Sequence, residues 1–251
     1  MAISAWPLRE VRSAAASAPR HSLLVRVTHW ITTICVLALL LSGFEIVISH
    51  PRFYWGDIGN PMTPSLFDLP IPASRPWVNT GYPYVLPDQN GWSRNLHFEA
   101  AWLVIFTGFV YVIAGLFGRH FRQNLLPARG NLTWTALAKD IANHLRFRRP
   151  PDSEAASYNI LQRFTYLAVI FILFPVVIWT GLAMSPAIVG AYPIFGLIPG
   201  GHQSARTVHF VVSLLLVLFL VIHIVMVCRA GFRTRMRAMI TSGIAPRNEQ
   251  L

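Results

Sequence analysis

The sequence predicts an all-α integral membrane protein, built as a bundle of four transmembrane helices. Of its 251 residues, 54% are hydrophobic and only 12% are charged, whereas soluble domains carry about 25% charged residues. Four separate stretches are long and apolar enough to cross a bilayer, which takes roughly 20 helical residues. The formal net charge is +11, but the basic residues lie between the apolar stretches, so no nucleic-acid partner is expected.

The four stretches form one predicted membrane domain between two tails. The spans are predicted at residues 27–49, 96–117, 164–184 and 208–228. The membrane domain is therefore 27–228, with an N-terminal tail at 1–26 and a basic tail at 229–251. The first span is too long for a signal peptide, and no small-residue cleavage site follows it. Pro175 predicts a kink in the third span.

Basic residues are divided unevenly between the two sides of the predicted bundle. The two tails and the connection between spans two and three hold most of the 21 Lys and Arg residues. The opposite side carries Arg52, Arg75, Arg94 and Arg206. Because cytoplasmic connections are enriched in Lys and Arg, both termini are predicted to be cytoplasmic.

The two long connections differ in character. The outer one, residues 50–93, is rich in Pro, Gly, Trp and Tyr, which predicts a loop ordered by aromatic packing. The inner one contains a segment that Asn131 could cap as a helix. Its apolar residues then recur at helical spacing: Trp134, Leu137, Ala138, Ile141 and Leu145. We expect this segment to be an amphipathic helix in the headgroup layer of the bilayer.

The fourth span carries two histidines, His209 and His223, in an otherwise apolar sequence. They are 14 residues apart, which is about 21 Å along a helix and about 40° around it. A histidine inside a bilayer is costly unless its nitrogens have partners. Two on one helix face, one near each membrane surface, suit two large cofactors stacked across the bilayer.

Two further histidines match these in depth. With the predicted orientation, His97 enters span two from the outer side, at the depth of His209. His29 enters span one from the inner side, at the depth of His223. Haem iron accepts two axial imidazoles, and an iron with both axial positions filled mainly carries electrons. The pattern therefore predicts two haem groups, one held by each pair.

Glycines and arginines near the histidines are candidates for haem packing and propionate binding. Gly43 and Gly108 each share a helix with one histidine and lie at the depth of the opposite pair, where a porphyrin would need close backbone approach. Arg26, Arg94 and Arg206 each precede a histidine by three residues, where a cation could bind a propionate. The alternatives are that the glycines are ordinary membrane-helix residues and the arginines interfacial anchors.

Several segments of the chain resemble a known family, the bacterial di-haem cytochrome b membrane subunits. This superfamily includes the formate dehydrogenase gamma subunit, the nickel-iron hydrogenase cytochrome b and the thiosulfate reductase cytochrome b subunit. The resemblance runs from about His21 to Gly243. The segments that carry it are HSLLVRVTHW, LSGFEI, SHPRFYWGD, LHFEAAW, SYNILQRFTYLAV, TGLAMSP, GGHQSARTVHF and GFRTRMRAMITSG.

The resemblance implies haem ligation by His29 with His223 and by His97 with His209. It also implies a place in the bacterial inner membrane and electron exchange between the quinone pool and a periplasmic partner, of a molybdopterin oxidoreductase kind. The quinone is expected near His21, Arg26 and the inner end of span four. The long outer loop departs from the formate dehydrogenase type, which leaves the partner and the quinone site open.

Two other functions fit the same residues. One is a stand-alone quinone-linked cytochrome b that takes electrons from a small diffusible donor, although a large aromatic loop is not needed for such a donor. The other is a haem-free transporter that uses its histidines for protons or metal ions. No nucleophile–base pair or phosphate-binding loop is apparent, so the chain is predicted to be an electron-transfer subunit rather than a complete enzyme.

Overall fold

The structure, a computed structural model, describes residues 22–60, 62–71, 89–118, 121, 138, 142, 160–229 and 231–241. Within these ranges the chain is mostly helical, and four helices are long and apolar enough to cross a membrane. The predicted all-α fold with four spans is confirmed. Apart from Ala138 and Ala142, the predicted amphipathic helix lies outside the described residues, as do the N-terminal residues 1–21.

Each membrane-crossing helix begins several residues before its predicted span. The added residues include Arg26, Arg94 and Arg206. In chain order the helices are α1 (Leu23–Ser49), α2 (Gln89–Phe117), α3 (Ile160–Ala168), α4 (Phe174–Ala183), α5 (Pro186–Ala191), α6 (Ile194–Leu197), α7 (His202–Arg229) and α8 (Phe232–Thr241). The third crossing consists of α3, a π-helical segment (Val169–Leu173) and α4. The Ser22 hydroxyl caps α1 by accepting a hydrogen bond from the backbone N–H of Val25.

The π-helical segment ends two residues before Pro175, the second residue of α4. Proline has no N–H, and its ring crowds the carbonyl four residues earlier, so the regular α-helical pattern cannot continue through it. The backbone N–H of Phe174 instead donates to the Val169 carbonyl, five residues back. Such local adjustments let proline remain inside a membrane helix. The irregularity predicted at Pro175 therefore takes the form of a π-helical turn.

A two-stranded hairpin orders the described part of the outer connection. Strands β1 (Arg52–Phe53) and β2 (Phe67–Asp68) are antiparallel, with Phe53 opposite Phe67. The two phenyl rings stack 4.7 Å apart, and Phe53 also stacks 4.4 Å from Phe210 of α7. Aromatic packing thus fixes the hairpin to the helix that carries two of the four candidate histidines.

Small and medium side chains fill the described interior between helices. α1 packs along α2, and α4 packs along α7. Cys35, Ala100 and Val104 form a buried cluster between α1 and α2. Many large apolar side chains, such as Phe106 and Leu218, are exposed instead, as expected where lipid rather than protein covers a helix.

Candidate functional site: two histidine pairs along one helix

Two pairs of histidine rings lie within the bundle, at different depths along α7. The ring centroids of His97 on α2 and His209 on α7 are 6.2 Å apart. Those of His29 on α1 and His223 on α7 are 6.3 Å apart. The structure brings together the pairs that spacing and depth predicted. We call His97 and His209 the outer pair, and His29 and His223 the inner pair.

His97 is held through its Nδ1 atom by a hydroxyl of α1. The Ser42 Oγ atom lies 3.0 Å from Nδ1 of His97. The Ser42 hydroxyl donates its own proton to the Ala38 carbonyl at 2.7 Å, so it accepts a hydrogen bond from His97. The proton of the neutral ring is therefore on Nδ1, which leaves the Nε2 lone pair available to a metal ion.

His209 is held in the same way by α4. Its Nδ1 atom lies 3.0 Å from the Val177 carbonyl oxygen, which can only accept. The Thr180 hydroxyl lies 3.2 Å from the same Nδ1 and donates to the Val176 carbonyl at 2.8 Å. Nδ1 of His209 therefore also carries the proton, and its Nε2 lone pair is available as a ligand.

A glycine lies against each ring of the outer pair. A Cβ atom at Gly43 would be 3.6 Å from Cε1 of His97, and one at Gly181 would be 3.4 Å from Cε1 of His209. Each glycine directly follows the hydroxyl residue that contacts the ring, so the dipeptides 42–43 and 180–181 seat the outer pair. Of these four residues, the sequence singled out only Gly43. The signal for the others is a hydroxyl residue followed by glycine inside an apolar helix.

Aromatic rings surround the inner pair. His29 meets Trp30 edge-on with centroids 5.5 Å apart, and His223 stacks on Phe219 at 5.7 Å. The Nδ1 atom of His29 is buried without a hydrogen-bond partner among the described residues. A Cβ atom at Gly108, the predicted packing glycine for this depth, would meet no described atom within 4 Å beyond its chain neighbours and the backbone of its own helix. The two pairs thus differ in how their rings are held.

The three candidate propionate ligands lie near the helix ends. Nη2 of Arg26 donates to the Ile240 carbonyl of α8 at 2.8 Å. Arg206 donates to the Arg52 carbonyl of the outer hairpin. Arg94 is exposed at the outer end of α2. Their roles at a haem stay predictions, and the structure adds that two of them hold neighbouring segments in place.

His50, the first residue after α1, lies near two of these arginines. Burial lowers the pKa of His50 below its ordinary value of 6.5, and the charges of Arg206 and Arg94 lower this pKa further. A hydrogen bond from the His50 ring to the Ile46 carbonyl, at 3.4 Å, opposes both effects. The net direction is downward, so His50 is neutral near pH 7.

The paired imidazoles fit axial ligation of haem better than a bare metal site. Among the described residues, no group of three or more His, Cys, Asp or Glu lies together as a metal cluster. Zinc sites in proteins use three or four side-chain ligands, whereas a porphyrin supplies four nitrogens and leaves two axial positions. Two axial imidazoles with metal–nitrogen bonds of about 2 Å hold their centroids about 6 Å apart. Both observed pairs have this separation.

The sequence also matches known proteins over most of its length. Residues 20–242 match the family described as prokaryotic cytochrome b561. A relative from Azospira oryzae, named "Putative protein-methionine-sulfoxide reductase subunit YedZ1", is 26% identical over 213 residues, which are 82% of this chain and 89% of the relative. No solved structure matches the chain significantly. Because the family match spans all four crossings and both histidine pairs, this chain belongs to the prokaryotic cytochrome b561 family of haem-binding membrane proteins.

Proposed function

We propose that this chain carries electrons across the membrane through two b haems, one bound by each histidine pair. The proposal rests on two pairs of histidine rings, to each of which α7 contributes one ring. The ring centroids are 6.2 Å apart in the outer pair and 6.3 Å apart in the inner pair. Haem held by these histidines would supply a one-electron iron couple suited to electron transfer. The protein holds the two imidazoles of each pair at a fixed separation.

The predicted topology gives this path a direction in space. The outer pair faces the periplasm and the inner pair the cytoplasm if both termini are cytoplasmic, as the distribution of Lys and Arg favours. Along α7 the two histidines are 14 residues, or about 21 Å, apart. Two haems at these depths would divide the crossing of a bacterial inner membrane into short steps.

The outer hairpin is a candidate docking surface for a periplasmic redox partner. It is fixed to the start of α7, where the Gly56 carbonyl accepts from the backbone N–H groups of Gln203 and Ser204 at 2.9 and 3.1 Å. Its apolar side chains are nevertheless exposed: Trp55 by 63%, and Met62 by 91%. A rigid apolar surface beside the outer pair suits a protein partner better than a small diffusible donor.

The partner is proposed to be a periplasmic molybdopterin oxidoreductase. The resemblance of the motifs supports this class of partner. The Azospira oryzae relative supports a subunit arrangement because its name describes a reductase subunit. If the partner of this chain is also a reductase, electrons pass from the inner pair to the outer pair.

The inner end has a cleft that could receive a quinone headgroup. About 300 Å³ of space lies between α1 and α8, lined by apolar side chains that include Trp30, Ile34 and Met239. Arg26 also lines the cleft, three residues before the ligand candidate His29. Apolar walls with one polar group are typical of small-molecule sites.

A spectrum of the purified protein tests the proposal. The reduced-minus-oxidised visible spectrum should show b-type haem, with two haems per chain, and a quinol analogue should reduce both. A protein isolated with no haem from cells with ample haem would overturn the proposal in favour of a haem-free membrane protein. A single haem per chain would overturn the two-haem path.

A further inference from the structure

We propose that the hydroxyl groups of Ser42 and Thr180 set the redox potential of the outer haem by accepting hydrogen bonds from its two axial imidazoles. This inference rests on the proposed two-haem function. It assigns a positioning role to two residues that contact the ligand rings rather than the haem itself.

The Ser42 hydroxyl is a fixed acceptor. Its side chain is fully buried, and its proton is committed to the Ala38 carbonyl at 2.7 Å. If the hydroxyl donated to His97 instead, the bond to Ala38 would break. The lone pairs of the Ser42 Oγ atom and the Ala38 carbonyl oxygen would then face each other at 2.7 Å. The contact of 3.0 Å with Nδ1 of His97 therefore runs from ring to hydroxyl.

The Thr180 hydroxyl repeats this arrangement on another helix. It is 3% exposed, donates to the Val176 carbonyl at 2.8 Å, and lies 3.2 Å from Nδ1 of His209. The Val177 carbonyl shares the same ring proton at 3.0 Å. Two acceptors around one N–H group fix both the tautomer and the ring orientation.

Hydrogen bonding at Nδ1 changes the ligand strength of Nε2. A ring that shares its proton with an oxygen becomes a stronger donor to the metal. A stronger donor stabilises the ferric state more than the ferrous state, so it lowers the reduction potential. The low dielectric of a buried site enlarges this effect. Loss of the Ser42 hydroxyl should therefore raise the potential of the outer haem. Loss of the Thr180 hydroxyl should raise it less, because the Val177 carbonyl still accepts from Nδ1 of His209.

The inner pair provides a reference within the same molecule. Nδ1 of His29 has no hydrogen-bond partner among the described residues, and His223 stacks on Phe219. Neither Ser42 nor Thr180 contacts these rings in the described structure. A substitution at either hydroxyl should therefore leave the potential of the inner haem unchanged.

Redox titration of purified variants, followed by visible and paramagnetic resonance spectra, tests the inference. Ser42→Ala and Thr180→Val should each raise the ratio of reduced to oxidised outer haem at a fixed ambient potential. An increase of about tenfold corresponds to about 59 mV for a one-electron couple. Thr180→Ser should restore the native value because it keeps the hydroxyl.

Two matched controls each remove a hydroxyl that donates to a carbonyl of its own helix. Ser49 donates to the Glu45 carbonyl at 3.2 Å and is 5% exposed, so Ser49→Ala matches Ser42→Ala. Thr165 donates to the Leu161 carbonyl at 2.8 Å, so Thr165→Val matches Thr180→Val. Both controls should retain the native potentials of both haems.

The outcomes separate this inference from the proposed function. Two haems whose potentials stay native in Ser42→Ala and Thr180→Val would overturn the inference alone. Equal shifts in the potentials of both haems in Ser42→Ala or Thr180→Val would also overturn it, because they indicate a general structural change. The same holds if the control variants shift the potential of the outer haem. If Ser42→Ala does not fold, the comparison of Thr180→Val with Thr180→Ser decides. Absence of haem from the native protein would overturn both proposals.

Discussion

The two histidines of α7 meet partners on two different helices, and the residues around each pair decide what the rings can do. The outer rings have carbonyl and hydroxyl acceptors at Nδ1, whereas aromatic side chains contact the inner rings. The outer pair therefore has a fixed tautomer and ring orientation. The inner pair depends more on packing.

Gly43 should tolerate a methyl group but not a larger side chain. A Cβ atom would lie 3.6 Å from Cε1 of His97, which is an ordinary van der Waals distance. Gly43→Ala should therefore keep both haems. Gly43→Val adds two methyl groups near the ring, and we expect it to lower the content of the outer haem by half or more. Haem extraction and the visible spectrum measure this, and retention of both haems in Gly43→Val would contradict it.

His50 should make the stability of the protein depend on pH. Its pKa in the folded protein is below the ordinary value of 6.5, so the unfolded chain binds the proton more readily. The contribution of His50 to stability is therefore complete above about pH 6.5 and is lost as the pH falls toward the folded pKa. The melting temperature in detergent should fall between pH 7.5 and 5.5, and His50→Gln should reduce that fall. An identical pH dependence in both proteins would contradict this account.

At the residue scale, helix geometry predicted which histidines meet but not how they are held. The spacing of 14 residues and the depths of the histidines in their spans predicted that His209 meets His97 and that His223 meets His29, as observed. The contacts of Ser42 and Thr180 with the rings were not predicted. A hydroxyl in a membrane helix usually bonds its own backbone, and its second contact depends on the rotation of a neighbouring helix, which one sequence does not specify.

The helices α1 and α8 are joined near the inner pair by side chains of α1. Trp30 Nε1 donates to the Met239 carbonyl at 3.2 Å, and Arg26 donates to the Ile240 carbonyl. These carbonyls belong to the last turn of α8, where no intrahelical donor remains. The side chains of α1 therefore cap α8 and close one end of the proposed quinone cleft.

Removing the Trp30 hydrogen bond should loosen α8. Trp30→Phe keeps an aromatic ring but loses the donor, which should cost α8 about 1 kcal/mol. Hydrogen exchange of the residues in α8 should become about fivefold faster. Trp102→Phe, at an exposed position of α2, is the matched control and should leave this exchange unchanged. Equal exchange in both variants would contradict the capping role.

The outer hairpin should depend on Thr207 of α7. The buried Thr207 hydroxyl donates to the Tyr54 carbonyl at 2.7 Å. Thr207→Val leaves that carbonyl without its donor, at a cost of about 1–3 kcal/mol. We expect weaker electron transfer to the periplasmic partner with both haems retained. Thr165→Val is the control. Loss of haem from Thr207→Val, or unchanged transfer, would contradict a docking role for the hairpin.

Periodicity and hydropathy predicted the four membrane helices, but not the elements that join them. The apolar pattern of the fourth span begins near residue 208, whereas α7 begins at His202. The intervening residues Ser204 and Thr207 are polar and form hydrogen bonds with the hairpin. The short strands stack on α7 through Phe53 and Phe210, and α6 stacks on α4 through Phe195 and Trp179. Such tertiary contacts routinely override local propensity.

At the scale of the whole molecule, α7 contributes one histidine to each pair. A single helix therefore connects the two proposed haem sites. The topology is still a prediction from the distribution of Lys and Arg. Reporter fusions to residue 251 should be active only when the reporter functions in the cytoplasm. Activity of a periplasmic reporter at that position would invert the assignment of inner and outer pairs.

The most direct test of the account is the haem content and spectrum of four single variants. His29→Ala and His223→Ala should each lose the same spectral component and keep about half of the haem. His97→Ala and His209→Ala should each lose the other component. If His29→Ala and His209→Ala removed the same component, or if any one variant left both haems in place, the assignment of two haems to two histidine pairs would be wrong.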